Sequence, residues 1–295
     1  RAFGQFSAGR AEVPLRTRLH TEKGVTLLMP AYLKESHQLA VKIVSVYGEN
    51  PGLGLPTVAA LVQVLDPRTG MPRALLEGDT LTALRTGAAG GLAADLLSRS
   101  DARRVALFGA GIQSRSQLEA VMAVRRISRV DLIDLNPDAA GQLAAEIATW
   151  PHAPTVSIAT DVQAAVKKAD IVVAATTSRT PLFDGHDLRP GTHVTAVGAF
   201  TPEMQEIDPH TIGRARVVVD SREACLAEAG DIIAAEAVIS AEIGEIVNGA
   251  QPGRRDETEI TFFKSVGIAA QDAAAAAAAL SAAEAQGLGQ VVQLA

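Results

Sequence analysis

The sequence predicts an α/β protein in which a doubly wound parallel sheet is joined to a second domain of mixed α+β structure. From Arg104 onward, short apolar runs alternate with helical segments, as they do in βαβ units. Before that point, the apolar runs follow one another directly and are separated by turn residues. The length of 295 residues corresponds to roughly two domains of ~150 residues each.

The N-terminal region is predicted to form an antiparallel sheet. Its β-like runs are LAVKIVSVY, PTVAALVQVL and PRALLEG. The DPRTGMP segment between the last two carries Asp, Pro and Gly in the order typical of a hairpin loop, and strands joined by a hairpin are antiparallel. From Thr82 to Leu97, apolar residues recur at helical spacing and predict a helix.

The second region is predicted to alternate strands and helices. Its apolar runs are continuous in Val, Ile and Ala, which is typical of parallel strands buried on both faces. The predicted elements are strand RVALF, helix Ile112–Val124, strand Arg129–Asp134, helix Asp138–Thr149, strand TVSIA, helix Asp161–Lys168, and strands DIVVAAT, HVTAVGA and RVVVD. A further helix, Ile268–Gln286, is predicted from its high Ala content.

Composition argues against several classes of protein. A net charge of −6 and 3% aromatic residues do not favour a nucleic-acid partner. No apolar run approaches the ~20 residues of a membrane span, and one Cys cannot form an internal disulfide or a Cys-rich zinc site. The scattered His residues predict no metal site. The first residues, RAFGQFSAGR, lack a signal-peptide core, so we expect a cytoplasmic protein with a short piece preceding Arg1.

A dinucleotide-binding turn is predicted where the first strand of the alternating region ends. Gly109 permits the tight turn, Gly111 lets a pyrophosphate approach the backbone, and Ser114 takes the position that packs helix against strand. Asp134 ends the next strand, 20 residues after Ser114, where an acid can hold the ribose hydroxyls of NAD. Its charge, with no Arg following it, disfavours the extra phosphate of NADP. The alternative is an α/β domain with an empty turn and a solvated Asp.

Three basic residues of the N-terminal region lie in unexpectedly apolar settings. Lys42 lies within LAVKIVSV, Arg85 within LTALRTGAAGG, and Arg16 follows the proline of VPLR. Charged side chains are rarely buried without a partner, and a guanidinium suits a carboxylate bidentately. They therefore predict a carboxylate-binding site. The alternative is three ordinary salt bridges with Glu77, Asp79 or Glu12.

The sequence also predicts roles for three acidic residues and for the single cysteine. Glu203, Glu206 and Asp208 follow the segment around Phe200 and are expected either to cap the next helix, which we favour, or to reach the site. Cys225 is expected to be a buried, unreactive thiol on a helix, because no His is close to it in the sequence.

Eight stretches together resemble the ornithine cyclodeaminase/mu-crystallin family over essentially the whole chain. They are VPLR, MPAY, VKIVSVY, EGDTLTALRTGAAGGLAADLL, GAGIQSRSQLEA, AVGAFTPEMQEID, VVVDSREACLAEAGD and FFKSVGIAAQDAAAA. The family includes ornithine and lysine cyclodeaminases, alanine dehydrogenases, ketimine reductases, and mammalian mu-crystallin, which binds thyroid hormone and reduces ketimines.

The resemblance implies a Rossmann domain, residues 99–265, and a substrate-binding and dimerisation domain made of residues 1–98 and 266–295. It implies that Arg16, Lys42 and Arg85 surround the substrate carboxylate. The residues then expected to bind the cofactor are Arg85, Thr86, Gly109, Ala110, Gly111, Ile112 and Gln113 at its phosphates, Asp134 at a ribose, and Thr176, Val197 and Ser265 near the adenine or nicotinamide.

Two departures from the family pattern bear on the reaction. Ornithine cyclodeaminases carry a Glu two residues before the Met-Pro pair, where this sequence has Leu27, and an Asp two residues before the Pro of a GGDxPG-like turn, where it has Phe200. Neither side chain can accept a proton, so cyclodeamination of ornithine or lysine is disfavoured. Some alanine dehydrogenases of the family also use an acid at the Phe200 position, whereas an apolar wall suits a cyclic imine.

The predicted activity is NAD(H)-dependent reduction of a cyclic ketimine carboxylate, with NADP(H) as an alternative cofactor. The substrate would be Δ1-pyrroline-2-carboxylate or Δ1-piperideine-2-carboxylate, and the product L-proline or L-pipecolate. Lys42 is either the proton donor or only a carboxylate ligand. The alternatives are an NAD-dependent alanine dehydrogenase and a non-catalytic, dinucleotide-dependent binding protein. The resemblance also implies a homodimer, and the composition predicts neither nucleic acid nor membrane as a partner.

Overall fold

A computed structural model describes residues 1–293 and divides them into two compact units. The first unit comprises Arg1–Arg85 and the described residues from Ile268 onward, and the second comprises Thr86–Gly267. The predicted fold class, a parallel α/β sheet with a second region of mixed α+β structure, is confirmed. The domain limits inferred from the sequence stay a prediction. They are 1–98 with 266–295 for the substrate-binding domain and 99–265 for the Rossmann domain.

The first unit contains an antiparallel sheet and the C-terminal helix. Its elements are α1 (Ala2–Ser7), β1 (Ala11–Glu12), β2 (Thr17–His20), β3 (Val25–Leu33), β4 (Gln38–Val46), a 3-10 turn (Asn50–Leu53), β5 (Val58–Leu65), β6 (Pro72–Glu77), the start of α2 (Gly78–Leu97) and α10 (Ala269–Gln286). The strand order is β1-β3-β4-β5-β6, with β2 also paired to β3.

The three strands predicted in this region are confirmed as β4, β5 and β6. The predicted hairpin joins β5 to β6, and the Asp66 carboxylate accepts hydrogen bonds from the backbone N–H groups of Arg68 and Thr69. Gly70 closes this turn at a φ of +74°, in the left-handed region that favours glycine. Helix α2 begins at Gly78, four residues earlier than the predicted start at Thr82.

Strand β3 was not predicted, and it contains Pro30 in its interior. A proline cannot donate to a ladder and argues against a central strand. The structure accommodates it because β2 pairs with residues 25–28 of β3 and β1 pairs with residues 32–33. Pro30 lies in the gap between these two short partners, where no ladder bond is required on that side.

Helix α10 covers one face of the antiparallel sheet and contacts β3, β4 and β5. Ala side chains let its axis approach the strands closely, and the buried residues of its first turns include Gln271 and Asp272. The covered face of the sheet carries buried Leu27, Met29 and Val62. The predicted C-terminal helix is therefore confirmed, and its N-terminal turns bring polar groups onto an apolar sheet.

The second unit is built on an eight-stranded parallel sheet. Its elements are β7 (Arg104–Phe108), α3 (Ile112–Val124), β8 (Arg129–Ile133), α4 (Pro137–Ile147), β9 (Thr155–Ile158), α5 (Val162–Lys168), β10 (Ile171–Ala174), a 3-10 turn (Gly185–Asp187), β11 (His193–Ala196), α6 (Pro209–Arg214), β12 (Arg216–Val219), α7 (Arg222–Glu228), α8 (Gly230–Ala234), β13 (Ala241–Glu242), α9 (Ile243–Val247) and β14 (Thr261–Lys264). The strand order is β13-β12-β14-β11-β10-β7-β8-β9.

The parallel sheet confirms the predicted strands and helices of this region, with ends that differ by up to two residues for the helices. Strands β10, β11, β12 and β14 are buried at every residue, as continuous apolar runs predict. Strands β13 and β14 were not predicted. Within residues 1–293, no helix has the length and apolar character needed to span a membrane.

Strand order reverses next to β7, because β8 follows on one side of it and β10 on the other. Ligands of doubly wound sheets bind outside the carboxyl ends of the strands at such a switch point. The dinucleotide turn that follows β7 therefore lies where this fold places a ligand.

Candidate active site

Two of the three predicted basic residues meet on one carboxylate in the first unit. Lys42 lies on β4 between Met29 of β3 and Val62 of β5, and only 1% of it is exposed. Its Nζ donates to Oδ1 of Asp272 at 2.9 Å, and Nε of Arg85 donates to the same oxygen at 3.0 Å. The structure therefore brings Lys42 and Arg85 together in a buried cluster.

The Lys42 ammonium has an unusual environment. Burial lowers the pKa of Lys42 from 10.5 to about 7, and the charges of Arg85 and Arg16 act in the same direction. Asp272 opposes this change through its charge and its hydrogen bond. A Lys with a pKa near neutrality can both donate a proton and bind an anion at physiological pH.

The third basic residue, Arg16, lies between β1 and β2 and contributes positive charge at Lys42. Lys42 and Arg85 pair with Asp272 and not with the partners named in the salt-bridge alternative. Glu12 pairs with Lys34, and the Glu77 carboxylate accepts hydrogen bonds from the backbone N–H groups of Asp79 and Thr80.

Asp272 and Gln271 were missed by sequence reasoning, which treated this segment only as an Ala-rich helix. Gln271 Nε2 donates to the Arg85 carbonyl at 3.2 Å, and its Oε1 accepts from Arg85 Nη1 at 3.3 Å. This pair of bonds ties α10 to α2 beside the cluster. The available signal was two polar residues together in a run of Ala, at the start of a helix.

The dinucleotide turn of the second unit has the geometry its glycines predict. Gly109 has a φ of +98°, and a Cβ there would meet the Ala175 carbonyl oxygen at 2.7 Å. At Gly111 a Cβ would meet open space, and this residue begins α3 without a side-chain cap. The free backbone N–H groups of the first turn of α3 and its positive dipole end fit the pyrophosphate of a dinucleotide.

Asp134 lies at the turn, as the spacing predicts. Its Oδ2 accepts from the Ala110 backbone N–H and its Oδ1 from the Asn136 backbone N–H, both at 2.7 Å. These bonds hold the carboxylate beside the turn, and each oxygen retains a lone pair for a ribose hydroxyl. Ile112 is exposed and Gln113 is half-buried at the start of α3.

The predicted cofactor residues of the second unit share one edge of the parallel sheet. Asp134, Gly109, Thr176, Val197 and Ser265 directly or closely follow β8, β7, β10, β11 and β14. These five strands are neighbours in that order. Because all are parallel, their carboxyl ends lie at the same edge, where a nucleotide extends across the switch point.

Thr86 lies on α2, at the start of the second unit, and is 7% exposed. Its carbonyl accepts from Gln117 Nε2 of α3 at 2.8 Å. A Cβ on Gly87 would meet the Ser116 carbonyl oxygen at 2.4 Å, so this small-residue segment packs tightly on α3. Thr86 directly follows Arg85 in the sequence of α2.

Glu206 binds backbone N–H groups at the edge of the sheet, a contact that the sequence did not predict. Its Oε1 accepts from the N–H of Thr176 at 2.6 Å, and its Oε2 accepts from the N–H of Gly198 and Ala199 at 2.7 and 3.1 Å. The side chain is fully buried, and burial raises its pKa. The capping expectation is wrong for Glu206, whereas Asp208 does cap α6 through the Thr211 N–H.

The buried ion pair between Asp231 and Lys264 holds the backbone of Glu206 in place. Asp231 Oδ1 accepts from the backbone N–H of Glu206 at 2.7 Å, and its Oδ2 accepts from Lys264 Nζ at 2.7 Å. Asp231 and Lys264 are both inaccessible to solvent. The signal in the sequence was a Lys at the end of the apolar TFFK run.

Asp220 fixes the chain after β14 in a similar way. Its Oδ2 accepts from Ser265 Oγ at 2.7 Å and from the Gly267 N–H at 2.7 Å, and Cys225 Sγ donates to its Oδ1. Burial raises the pKa of Cys225 well above its usual value, so the expectation of a buried, unreactive thiol on α7 is confirmed.

Within the described residues, no three His, Cys, Asp or Glu side chains gather as metal ligands.

Comparison with known proteins identifies the family. The family model for the ornithine cyclodeaminase/mu-crystallin family matches residues 1–286. The chain belongs to this family. The resemblance inferred from the eight sequence stretches is thereby confirmed.

Members of the ornithine cyclodeaminase/mu-crystallin family with established names are similar along nearly the whole chain. A Δ1-pyrroline-2-carboxylate reductase from Bacillus cereus is 39% identical, covering 92% of this chain and 86% of the relative. The structure of the Thermococcus litoralis Δ1-pyrroline-2-carboxylate reductase with NADH and L-proline is 42% identical with a TM-score of 0.94, covering 99% and 93%. An archaeal alanine dehydrogenase dimer with bound NAD is 33% identical with a TM-score of 0.93, covering 100% and 92%.

Proposed function

We propose that this protein reduces a cyclic ketimine carboxylate, Δ1-pyrroline-2-carboxylate or Δ1-piperideine-2-carboxylate, to the corresponding L-imino acid. The observation that carries the proposal is the buried cluster of Lys42 and Arg85 on Asp272, with Arg16 adding positive charge. Lys42 and Arg85 share the one carboxylate of Asp272, so the cluster retains positive charge for a substrate carboxylate. The 39% and 42% identity to two pyrroline-carboxylate reductases supports the choice of substrate.

The basic residues would act by binding and orienting the substrate. Arg16 and Arg85 clamp its carboxylate, and Arg85 is itself oriented by Asp272 and Gln271. A substrate held in one orientation reacts from a smaller set of conformations, which lowers the barrier by several kcal/mol. Leu27, 7% exposed on the same face of the sheet as Lys42, offers an apolar surface in place of an acid. This supports an imine ring over a diamine.

Lys42 would hold the proton that the imine nitrogen requires. A protonated imine accepts hydride more readily than a neutral one, and a pKa of about 7 lets Lys42 donate near neutral pH. Its Nζ is fixed by Asp272, so the proton lies at a defined position. When bound, the nicotinamide dinucleotide supplies the hydride, which is chemistry that no side chain provides.

The turn after β7 would hold that cofactor. Gly109 and Gly111 leave room for the pyrophosphate, and Asp134 faces a ribose. We favour NADH over NADPH, because the Asp134 carboxylate would repel a 2′-phosphate. The neighbouring structures with NADH and NAD support a nicotinamide dinucleotide.

One activity screen tests the proposal. Purified protein is assayed with NADH and NADPH against pyrroline-2-carboxylate, piperideine-2-carboxylate, and pyruvate with ammonium. We expect the highest kcat/KM with NADH and a cyclic imine. Faster turnover of pyruvate with ammonium would instead establish the alanine dehydrogenase alternative, which the archaeal neighbour favours. Ligand binding without turnover of any substrate would indicate a binding protein.

We also propose that the protein is a cytoplasmic homodimer. The face of the antiparallel sheet opposite to Lys42 carries apolar side chains that are exposed or half-buried, among them Val41, Ile43, Leu61 and Leu75. A second copy packed on this face would bury them, and the dimeric alanine dehydrogenase supports that occupant. The buried, unpaired Cys225 supports a reducing compartment.

The dimer proposal has a direct measurement. We expect sedimentation equilibrium to give twice the mass of one chain, and Leu61→Glu to shift the mass toward the monomer. A wild-type monomer at micromolar concentration would contradict the proposal.

A further inference from the structure

The Asp272 carboxylate has a geometry that packing alone does not explain. It lies in the first turn of α10 and is 1% exposed. One of its oxygens, Oδ1, accepts from both Lys42 Nζ and Arg85 Nε, while Oδ2 is buried without a hydrogen-bond partner in the described part of the chain. A carboxylate used purely as a structural anchor would satisfy both oxygens.

Replacing such a buried ionic cluster by apolar side chains is often neutral or stabilising for a protein. The surroundings would suit that replacement, because Met29 and Val62 flank Lys42 on the neighbouring strands. Two buried cations and one incompletely satisfied carboxylate are therefore costly for stability. Their retention indicates a task other than holding α10 against the sheet.

The charges that act on Lys42 come from three elements. Arg85 of α2 and Arg16 of the β1–β2 connection are positive, and Asp272 of α10 is negative. The neighbouring residues on β3 and β5, Met29 and Val62, are uncharged. Two like charges and burial favour a neutral Lys42, so Asp272 is the charge that counteracts them.

We propose that Asp272 is a positioning residue for the reduction: its Oδ1 holds the Lys42 ammonium beside the Arg85 guanidinium and keeps Lys42 protonated. This inference rests on the proposed function. In the free protein, Asp272 preserves the proton that the imine will need. When a substrate carboxylate binds to the arginines, it adds a second negative charge that further stabilises the Lys42 ammonium.

The test uses two variants of the full chain, Asp272→Asn and Asp272→Glu. Asp272→Asn removes the charge that raises the pKa of Lys42, so this pKa should fall from about 7 by about one pH unit or more. The high-pH limb of kcat/KM should move to lower pH by the same amount, and kcat/KM at pH 7 should fall about 10²-fold. Asp272→Glu keeps the negative charge, so its high-pH limb of kcat/KM should lie close to that of the wild type.

Two measurements accompany these rates. The pKa of Lys42 is read directly by NMR on protein labelled with ¹³C-lysine, its signal being assigned by its absence in Lys42→Met. An unfolded fraction that is constant with pH lowers the rate without moving the limb, so circular dichroism over the same pH range distinguishes titration of Lys42 from unfolding of Asp272→Asn. Glu284→Gln, on the exposed end of the same helix, is the matched control and should leave both the rate and the limb unchanged.

The outcomes distinguish a failure of the role proposed for Asp272 from a failure of the proposed reductase activity. A Lys42 pKa in Asp272→Asn equal to that of an active wild type would overturn the role of Asp272 alone. A wild type that turns over neither imine, while its Lys42 titration still responds to Asp272→Asn, would reject the proposed function and with it the positioning of Lys42 for reduction.

Discussion

Lys42→Met is expected to lower kcat/KM for the cyclic imine by about 10³-fold at pH 7. General acid catalysis contributes roughly 10²–10⁴-fold, and the substitution also removes a positive charge that would face the substrate carboxylate. Met has similar length and fits the apolar surroundings of β4. Because the Lys42 ammonium is only 1% exposed, the variant also loses the desolvation cost of a buried charge. Arg85 still pairs with Asp272 in this variant, so no buried charge is left without a partner and the expected loss is in activity more than in folding.

The measurement is a steady-state assay of NADH oxidation, accompanied by thermal unfolding and an NADH fluorescence titration. Lys34→Met is the matched control, since Lys34 is half exposed just after β3 and pairs with Glu12 at the surface. It should retain activity within about twofold, because exposed ion pairs contribute little. Retention of more than a tenth of the wild-type kcat/KM in Lys42→Met would exclude Lys42 as the proton donor.

Lys264→Met is expected to lower the free energy of unfolding by about 3–5 kcal/mol at pH 7. Lys264 Nζ is the cation that pairs with Asp231, at 2.7 Å and without solvent access. Its charge also lowers the pKa of Glu206. Removing it leaves two buried carboxylates uncompensated, in a protein whose total stability is about 5–15 kcal/mol.

Urea denaturation at pH 7 and pH 5 measures this effect. The loss of stability should be smaller at pH 5, because burial raises the pKa of Glu206 and its protonation removes one of the unpaired charges. Adding Asp231→Asn to the variant should recover part of the loss, since the amide oxygen can still accept from the Glu206 N–H. Lys168→Met, on the exposed surface of α5, should change stability by less than about 0.5 kcal/mol. If Lys264→Met lowers the free energy of unfolding by less than about 1 kcal/mol, Lys264 and Asp231 do not form a buried charge pair.

Local patterns were sufficient for six of the eight strands of the second unit. The alternation of continuous apolar runs with helical segments predicted β7 to β12, and the Gly109–Gly111 spacing predicted the turn before α3. These features depend on near neighbours in the chain: a strand, a glycine that adopts a positive φ, and a helix that begins within a few residues. Such patterns can be recognised from a single sequence.

The buried cluster could be predicted only in part. Lys42 and Arg85 were recognisable because a charge in an apolar run requires a partner. That partner, Asp272, is 230 residues from Lys42 along the chain. The expected partners were close in sequence, and they were wrong. Glu206 was misassigned for the same reason, since its hydrogen bonds reach back 30 residues to Thr176.

The sequence by itself determined the Rossmann-type sheet, the dinucleotide turn, the presence of two buried cations, Lys42 and Arg85, and the absence of acids at Leu27 and Phe200. Only the tertiary structure decided which carboxylate those cations share. An Ala-rich helix has small apolar side chains on every side, so its sequence does not specify which side faces the protein. The sheet on which α10 packs selects that side. Through this contact Asp272 meets Lys42 and Arg85.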